Sequence, residues 1–495
     1  MKIIGNTGII MRNNDIVQKL WGMCDILRDD GINYSDYVSE LVLLLFIKME
    51  SENIENGILK EHKLPEYARW KQLAAPSNDD VLLRYRKILN LLSESSDRVL
   101  AEIYSNAHTK IKESRHLEQL ISGIDAIDWF SVKKDGLGDV YEGLLEKNAS
   151  EIKSGAGQYF TPRPLIDSII EVLSPKVGEV IQDPAAGTGG FLIAAASYIR
   201  AKGNQAKEIS TKEKNFQKRH AYIGMELVVE TRRLALMNCL LHGIDGDGEG
   251  VVRLGNTLGS AGTLLPRADV ILSNPPFGTA KGGGGATRED LLFSTVNKQL
   301  AFLEHIYRSL KNGGRAAVVV PDNVLFDGGV GAEIRNDLMN KCRLHTILRL
   351  PTGIFYAQGV KTNVLFFNKV SDNAKNSTTK VWIYDMRTNM PKFNKRDPFS
   401  REHFSDFEDA YGDDPLGNSP RTETGIDGRF RCFDIEKLLD EGRGLDAIWI
   451  KDSNVENAED LPEPAILAQE AIDELEAALL DLNSILGHLG EDIVQ

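Results

Sequence analysis

The stretch Asp183-Pro184-Ala185-Ala186-Gly187-Thr188-Gly189-Gly190-Phe191 constrains the fold more than any other part of the chain. It follows a strand-like run, Glu179-Val180-Ile181-Gln182, and opens a good helix, Leu192 to Arg200. Glycine reaches the positive φ angles of a tight strand-to-helix turn, and small neighbours let the backbone approach a ligand. Strand, turn and helix in this order are the repeating unit of a doubly wound α/β sheet, whose ligands bind beyond the carboxyl ends of the strands. The turn lacks the G-x-G-x-x-G dinucleotide pattern, and the chain has no G-x-x-x-x-G-K-[ST] phosphate loop. An acidic start followed by G-x-G-G fits a cofactor with a cation and no phosphate. S-adenosylmethionine (SAM), with its sulfonium and ammonium, is such a cofactor, so Asp183, Gly187, Thr188, Gly189 and Gly190 are candidate cofactor residues. A plain tight turn is the alternative.

Two more strand ends extend the pattern. Ala221-Tyr222-Ile223-Gly224-Met225 reads as the next strand and ends on Glu226, whose carboxylate can accept ribose hydroxyls as in other nucleotide-binding sheets. Val251-Val252-Arg253-Leu254 leads to Asn256, a candidate for the adenine edge of the cofactor. Before the sheet, Gly157-Gln158-Tyr159-Phe160-Thr161-Pro162-Arg163-Pro164 opens a helix with Ile166, Ile169, Ile170 and Leu173 on one face. There Thr161 is expected as N-cap and Pro162 as the first helical residue.

Ala268-Asp269-Val270-Ile271-Leu272-Ser273 reads as a buried strand and ends in Asn274-Pro275-Pro276-Phe277. This motif suits methylation of an exocyclic amine on a planar base, a nitrogen whose lone pair is delocalised into the ring. The Asn274 amide oxygen and the Pro275 carbonyl can accept both amino hydrogens and so favour the developing tetrahedral nitrogen. Proline fixes the backbone, and Phe277 offers a flat face for a base taken out of its stack. A strand-ending turn is the bland reading, since Asn-Pro commonly forms turns.

Together these residues resemble the modification (M) subunit of type I restriction–modification systems, SAM-dependent DNA adenine-N6 methyltransferases. Asn297 to Ile306, Val319 to Phe326, Leu350 to Phe355 and Lys361 to Phe367 are also similar to family segments. The resemblance implies a Rossmann-like methyltransferase sheet with an N-terminal helical domain and a C-terminal helical tail. It implies that Gln158, Tyr159, Phe160, Thr161, Pro162 and Arg163, with Thr188, Gly189, Gly190 and Glu226, bind SAM. It assigns Asn274, Pro275, Pro276 and Phe277 to binding and activating the target adenine. Its expected partners are double-stranded DNA, a specificity (S) subunit, a second M chain in a two-M, one-S complex, and a restriction (R) subunit. Cytosine N4, an RNA base or a protein glutamine are rival acceptors of similar geometry. A SAM-binding assembly subunit is a rival of another class.

With 495 residues the chain is too long for one ordinary domain. We expect a helical domain at 1–135, a catalytic domain at 136–430 and a helical region for partner docking at 431–495. Tyr34 to Met49, Leu82 to Leu92 and His116 to Ile127 read as N-terminal helices, the first so apolar that it must be buried. That domain reads either as an assembly module or as a DNA clamp. Within 371–430, Trp382-Ile383-Tyr384 is expected as an edge strand. Lys281 precedes four consecutive glycines, 282–285, expected as a mobile loop that either orders around DNA or merely connects. Ile472, Leu475, Leu479, Leu482, Leu486 and Leu489 form a short heptad seam, for docking on a partner or on the chain itself.

A net charge of −14 argues against strong DNA binding by this chain alone, because affinity for phosphates comes from clustered Lys and Arg. A partner that carries sequence recognition resolves the conflict. No signal peptide or membrane span is expected. Cys24, Cys239, Cys342 and Cys432 are scattered, which fits free thiols in a reducing cytoplasm. No C-x-x-C or H-E-x-x-H occurs, so no metal is expected.

Overall fold

The computed structural model describes residues 15–450, apart from 34–35, 58, 77–78, 128, 130–135, 152–160, 204–209, 280–287, 356–360, 392, 394–398, 426 and 441–443. The N-terminal part is helical. Helix α1 (Tyr37–Glu55) is buried on nearly all sides, as its composition requires. Its buried carboxylates are satisfied by donors: Glu40 accepts from Thr109 Oγ1 (2.7 Å) and Lys110 N (2.9 Å), and Glu50 from Lys63 N (2.7 Å). Helix α3 (Ser114–Asp125) packs between it and α2 (Val81–Ser93), and Asp80 caps α2 by accepting from Leu82 N and Leu83 N. Helix α4 (Gly136–Glu151) then leads towards the sheet.

The sheet has nine strands in the order β3-β2-β1-β4-β5-β7-β6-β8-β9. They are β1 (Ile181–Asp183), β2 (Tyr222–Glu226), β3 (Val252–Leu254), β4 (Ala268–Ser273), β5 (Leu310–Pro321), β6 (Cys342–Arg349), β7 (Thr362–Lys369), β8 (Lys380–Asp385) and β9 (Phe430–Asp434). Strands β1 to β5 run parallel, and β7 inserts antiparallel between β5 and β6. Helices α5 (Arg163–Leu173), α6 (Gly190–Gly203), α7 (Val229–Leu241) and α8 (Lys298–Ser309) flank it. The strand order reverses between β1 and β4, so their carboxyl ends form the switch point where α/β sheets bind ligands. The expected doubly wound architecture is therefore present.

Two details differ from expectation. The run Trp382-Ile383-Tyr384 is no edge strand: β8 pairs with β6 on one side and β9 on the other, and β9 closes the sheet. Tyr384 is buried, and Trp382 stacks on Phe430 of β9 at 4.7 Å between ring centroids, which explains the aromatic content of this run. Thr161 is not the N-cap of α5. Pro162 occupies that position without a side-chain cap, and Pro164 lies in the first turn. The Thr161 hydroxyl has another partner, described below.

The N-terminal helices dock on α7 through side chains that reach between them. Arg232 Nη1 donates to Glu102 Oε2 (2.6 Å) and Arg233 Nη2 to the Ser105 carbonyl (2.6 Å). Among the described residues no helix is long and apolar enough to cross a membrane.

Candidate functional site

The glycine turn sits between β1 and α6. Gly187 and Gly189 have φ of +54° and +85°, a region that side chains rarely adopt, so the turn favours glycine at these positions. Gly189 also faces Cys239 of α7, whose Sγ lies 3.4 Å from where a Cβ would stand. The turn is braced from four sides. Glu226 Oε2 accepts from Gly187 N (3.0 Å), and its Oε1 accepts from Val228 N (2.9 Å). Asn238 Nδ2 donates to the Thr188 carbonyl (3.1 Å). Thr257 Oγ1 donates to the Pro184 carbonyl (2.5 Å). Asp183 Oδ1 accepts from Ala185 N (3.0 Å) and from Ser273 Oγ (2.8 Å).

The last bond joins the two motifs. Ser273 ends β4 and Asn274 follows it, so Asp183 ties the glycine turn directly to the residue before Asn274. On the other side Asn274 Nδ2 donates to Thr161 Oγ1 (3.0 Å), which brings in the segment before α5. Three stretches far apart in sequence thus converge at the carboxyl ends of β1 and β4. Pro275 is buried, and Asn274, Pro276 and Phe277 are half-buried, with Phe277 against the main apolar core. Past the motif, Lys298 N donates to the Gly278 carbonyl (3.1 Å), which ties it to the start of α8.

Buried charge marks this region. Burial pushes the Asp183 carboxyl up to about 7, helped by the neighbouring Glu226 and opposed by the Ala185 and Ser273 donors. Burial also raises Glu226, against the backbone N–H groups of Val228, Gly187 and Leu227. On α8, His305 is driven down to about 3 by burial and then by Arg288, so it stays neutral and accepts from Arg288 Nη1 (2.5 Å). Glu304 accepts from Leu292 N (2.5 Å) and Phe293 N (3.3 Å), so the chain returning from the motif is pinned to α8.

Arg163 heads α5 and pairs with Glu142 of α4 and with Asp167 (Nε to Oδ1, 2.8 Å). Asn256 is exposed and accepts from Leu258 N (3.0 Å), the geometry of a local turn. Gln158, Tyr159 and Phe160, the glycines at 282–285 and the heptad seam lie outside the described residues. Sequence reasoning missed Asn238, Ser273 and Thr257. Asn238 had a signal: it is an amide at helical spacing from Leu234 and Leu241, and the structure buries it fully.

Known proteins resemble this chain over nearly all of its length. The N-6 DNA Methylase family model matches residues 132–438, and the HsdM N-terminal domain model matches 16–124. The chain is 49% identical to the Type I restriction enzyme EcoKI methylase subunit of Escherichia coli K12, over 97% of this chain and 96% of that one. It is 48% identical to the StySPI methylase subunit of Salmonella potsdam, with the same coverage. The crystal structure of the EcoKI M protein matches with a TM-score of 0.58 at 45% identity, covering 97% of both chains. A type I methyltransferase subunit from Streptococcus thermophilus shares the fold, with a TM-score of 0.68 at 21% identity over 88% of this chain and 98% of that one. The chain belongs to the N-6 DNA methylase family and, within it, to the methylase subunits of type I restriction enzymes.

Proposed function

We propose that this methyltransferase moves a methyl group from SAM to N6 of an adenine flipped out of duplex DNA, with Asn274 to Phe277 as the target site and the 183–190 turn as the cofactor site. The observation that carries the reading is the junction of the two motifs, Asp183 with Ser273 and Asn274 with Thr161, at the sheet's switch point. The turn fits the cofactor: its positive-φ glycines bare the backbone, and Glu226 stands beside it with a carboxylate that can take further donors. Asp183 and Gly190 belong to this turn, and Arg163, Pro162 and Asn256 flank it as secondary contacts. SAM when bound supplies an electrophilic methyl group, so the chain's share is positioning and polarisation. Thr161 orients the Asn274 amide by its nitrogen end, which sets the amide oxygen to accept from the target amine. The rigid Pro275 carbonyl accepts the second hydrogen, and Phe277 stacks under the base.

The same reading assigns DNA, a specificity subunit, a second copy of this chain and a restriction subunit as partners, in a reducing cytoplasm that suits four free thiols. An acidic chain needs a basic, base-reading partner, and the heptad seam beyond residue 470 is the candidate docking element. The test is transfer of labelled methyl from SAM to DNA, RNA and protein by the assembled complex. N6-methyladenine in DNA is the expected product. Label in N4-methylcytosine, RNA or protein alone would overturn the assignment.

A further inference from the structure

We infer that Glu142 is a positioning residue that couples the two halves of the site; this rests on the reading that the 183–190 turn holds the cofactor and Asn274 the target amine. Glu142 lies on α4, outside every motif, with 16% of its side chain exposed. One carboxylate oxygen, Oε2, pairs with Arg163. The other, Oε1, accepts from Asn238 Nδ2 at 3.5 Å. Each partner serves a different half. Asn238 Nδ2 also donates to the Thr188 carbonyl (3.1 Å) inside the glycine turn. Arg163 begins α5 two residues after Thr161, whose hydroxyl holds Asn274. Pro162 stands between them with a fixed φ, so a shift of Arg163 is passed to Thr161 with little slack.

The chemistry requires a carboxylate here. Two donors approach from different elements, and a carboxylate offers each its own acceptor oxygen. Glutamine offers one oxygen and one NH2 group. Its oxygen turns to the guanidinium, the stronger donor, and its NH2 then faces the Asn238 NH2. Glu142→Gln therefore keeps the Arg163–Thr161–Asn274 arm and loses the Asn238–Thr188 arm, whereas Glu142→Ala loses both.

Two quantities read the two arms separately: SAM affinity of the full-length chain by calorimetry, and single-turnover methylation of DNA by the assembled complex at saturating SAM. For Glu142→Ala we expect roughly tenfold weaker SAM binding and a roughly tenfold slower transfer, the scale of a lost charged hydrogen bond. For Glu142→Gln we expect the affinity loss with the transfer rate restored to within about twofold. In an Asn238→Ala background, Glu142→Ala should weaken SAM binding no further. A role in stability alone would lower the melting temperature and leave both quantities unmoved, and that result would overturn the coupling, as would losses that add fully to those of Asn238→Ala. The underlying site reading fails separately: it falls if Asn274→Ala still methylates, whereas an inactive Asn274→Ala beside unaffected Glu142 variants sinks the coupling alone.

Discussion

The glycine turn and the Asn274 loop occupy the same end of the same sheet, yet they are held in different ways. The turn is fixed by side chains from four elements: Glu226 at the end of β2, Asn238 on α7, Thr257 after β3, and Asp183 with Ser273 across to β4. The Asn274 loop is fixed by proline geometry, by the Thr161 hydroxyl and by the Lys298 N–H to Gly278. A turn that must present bare backbone gains from being rigid before ligand arrives, since ordering it on binding would cost affinity. A loop that must admit a flipped base has a different task, because it has to accept a large group between its walls.

The contrast can be broken at its strongest point first. Asn274→Ala should lower transfer to DNA about 100- to 1,000-fold, the range for deleting one transition-state acceptor or donor, and leave SAM binding within about threefold. Equal loss of both would mean that the two halves are not separable. Gly189→Val should do the reverse. A β-branched residue at φ +85° against Cys239 strains the turn by roughly 1–3 kcal/mol, so SAM affinity should fall about 5- to 150-fold in calorimetry. A variant binding normally would show that the turn is not the rigid half.

Asp183 gives a test by pH. Its folded-state value, about 7, lies above the ordinary 3.8, so the folded chain keeps a proton that the unfolded chain has lost between these two values. The stability it contributes is full below about pH 4 and disappears as pH rises through about 7. Asp183→Asn keeps an oxygen in place of Oδ1, which takes both existing bonds, and removes the titration. Urea unfolding at pH 5 and pH 8 should show wild type losing roughly 1–3 kcal/mol more than the variant over that step. Parallel pH profiles would show that this carboxylate is ionised throughout. The smallest effect should come from Thr161→Val, which removes the acceptor for Asn274 Nδ2: transfer slows roughly tenfold with SAM affinity retained, and Thr161→Ser restores it.

Much of the candidate site's geometry was legible because its parts are local. The glycine turn announces itself through φ requirements, the strand ends through apolar runs, and the Asn274 motif through two consecutive prolines. Thr161 shows where locality ends. Its sequence context is that of an N-cap, but its hydroxyl is used by a residue 113 positions away, and Pro162 takes the cap position. Trp382 to Tyr384 was read as an edge because a strand's rank in a sheet depends on which later segment pairs with it, here β9 about fifty residues on.

The sequence by itself determined the alternation of strand and helix, the backbone angles at Gly187 and Gly189, and the chemical character of Asn274-Pro275-Pro276-Phe277, since these follow from near neighbours and from side-chain chemistry. Tertiary structure alone decided that Asp183 meets Ser273, that Thr161 holds Asn274, and that Glu142 and Asn238 stand behind the glycine turn. Such pairings depend on strand order and helix packing, where a buried polar atom takes whichever partner the fold brings within reach to avoid remaining unsatisfied.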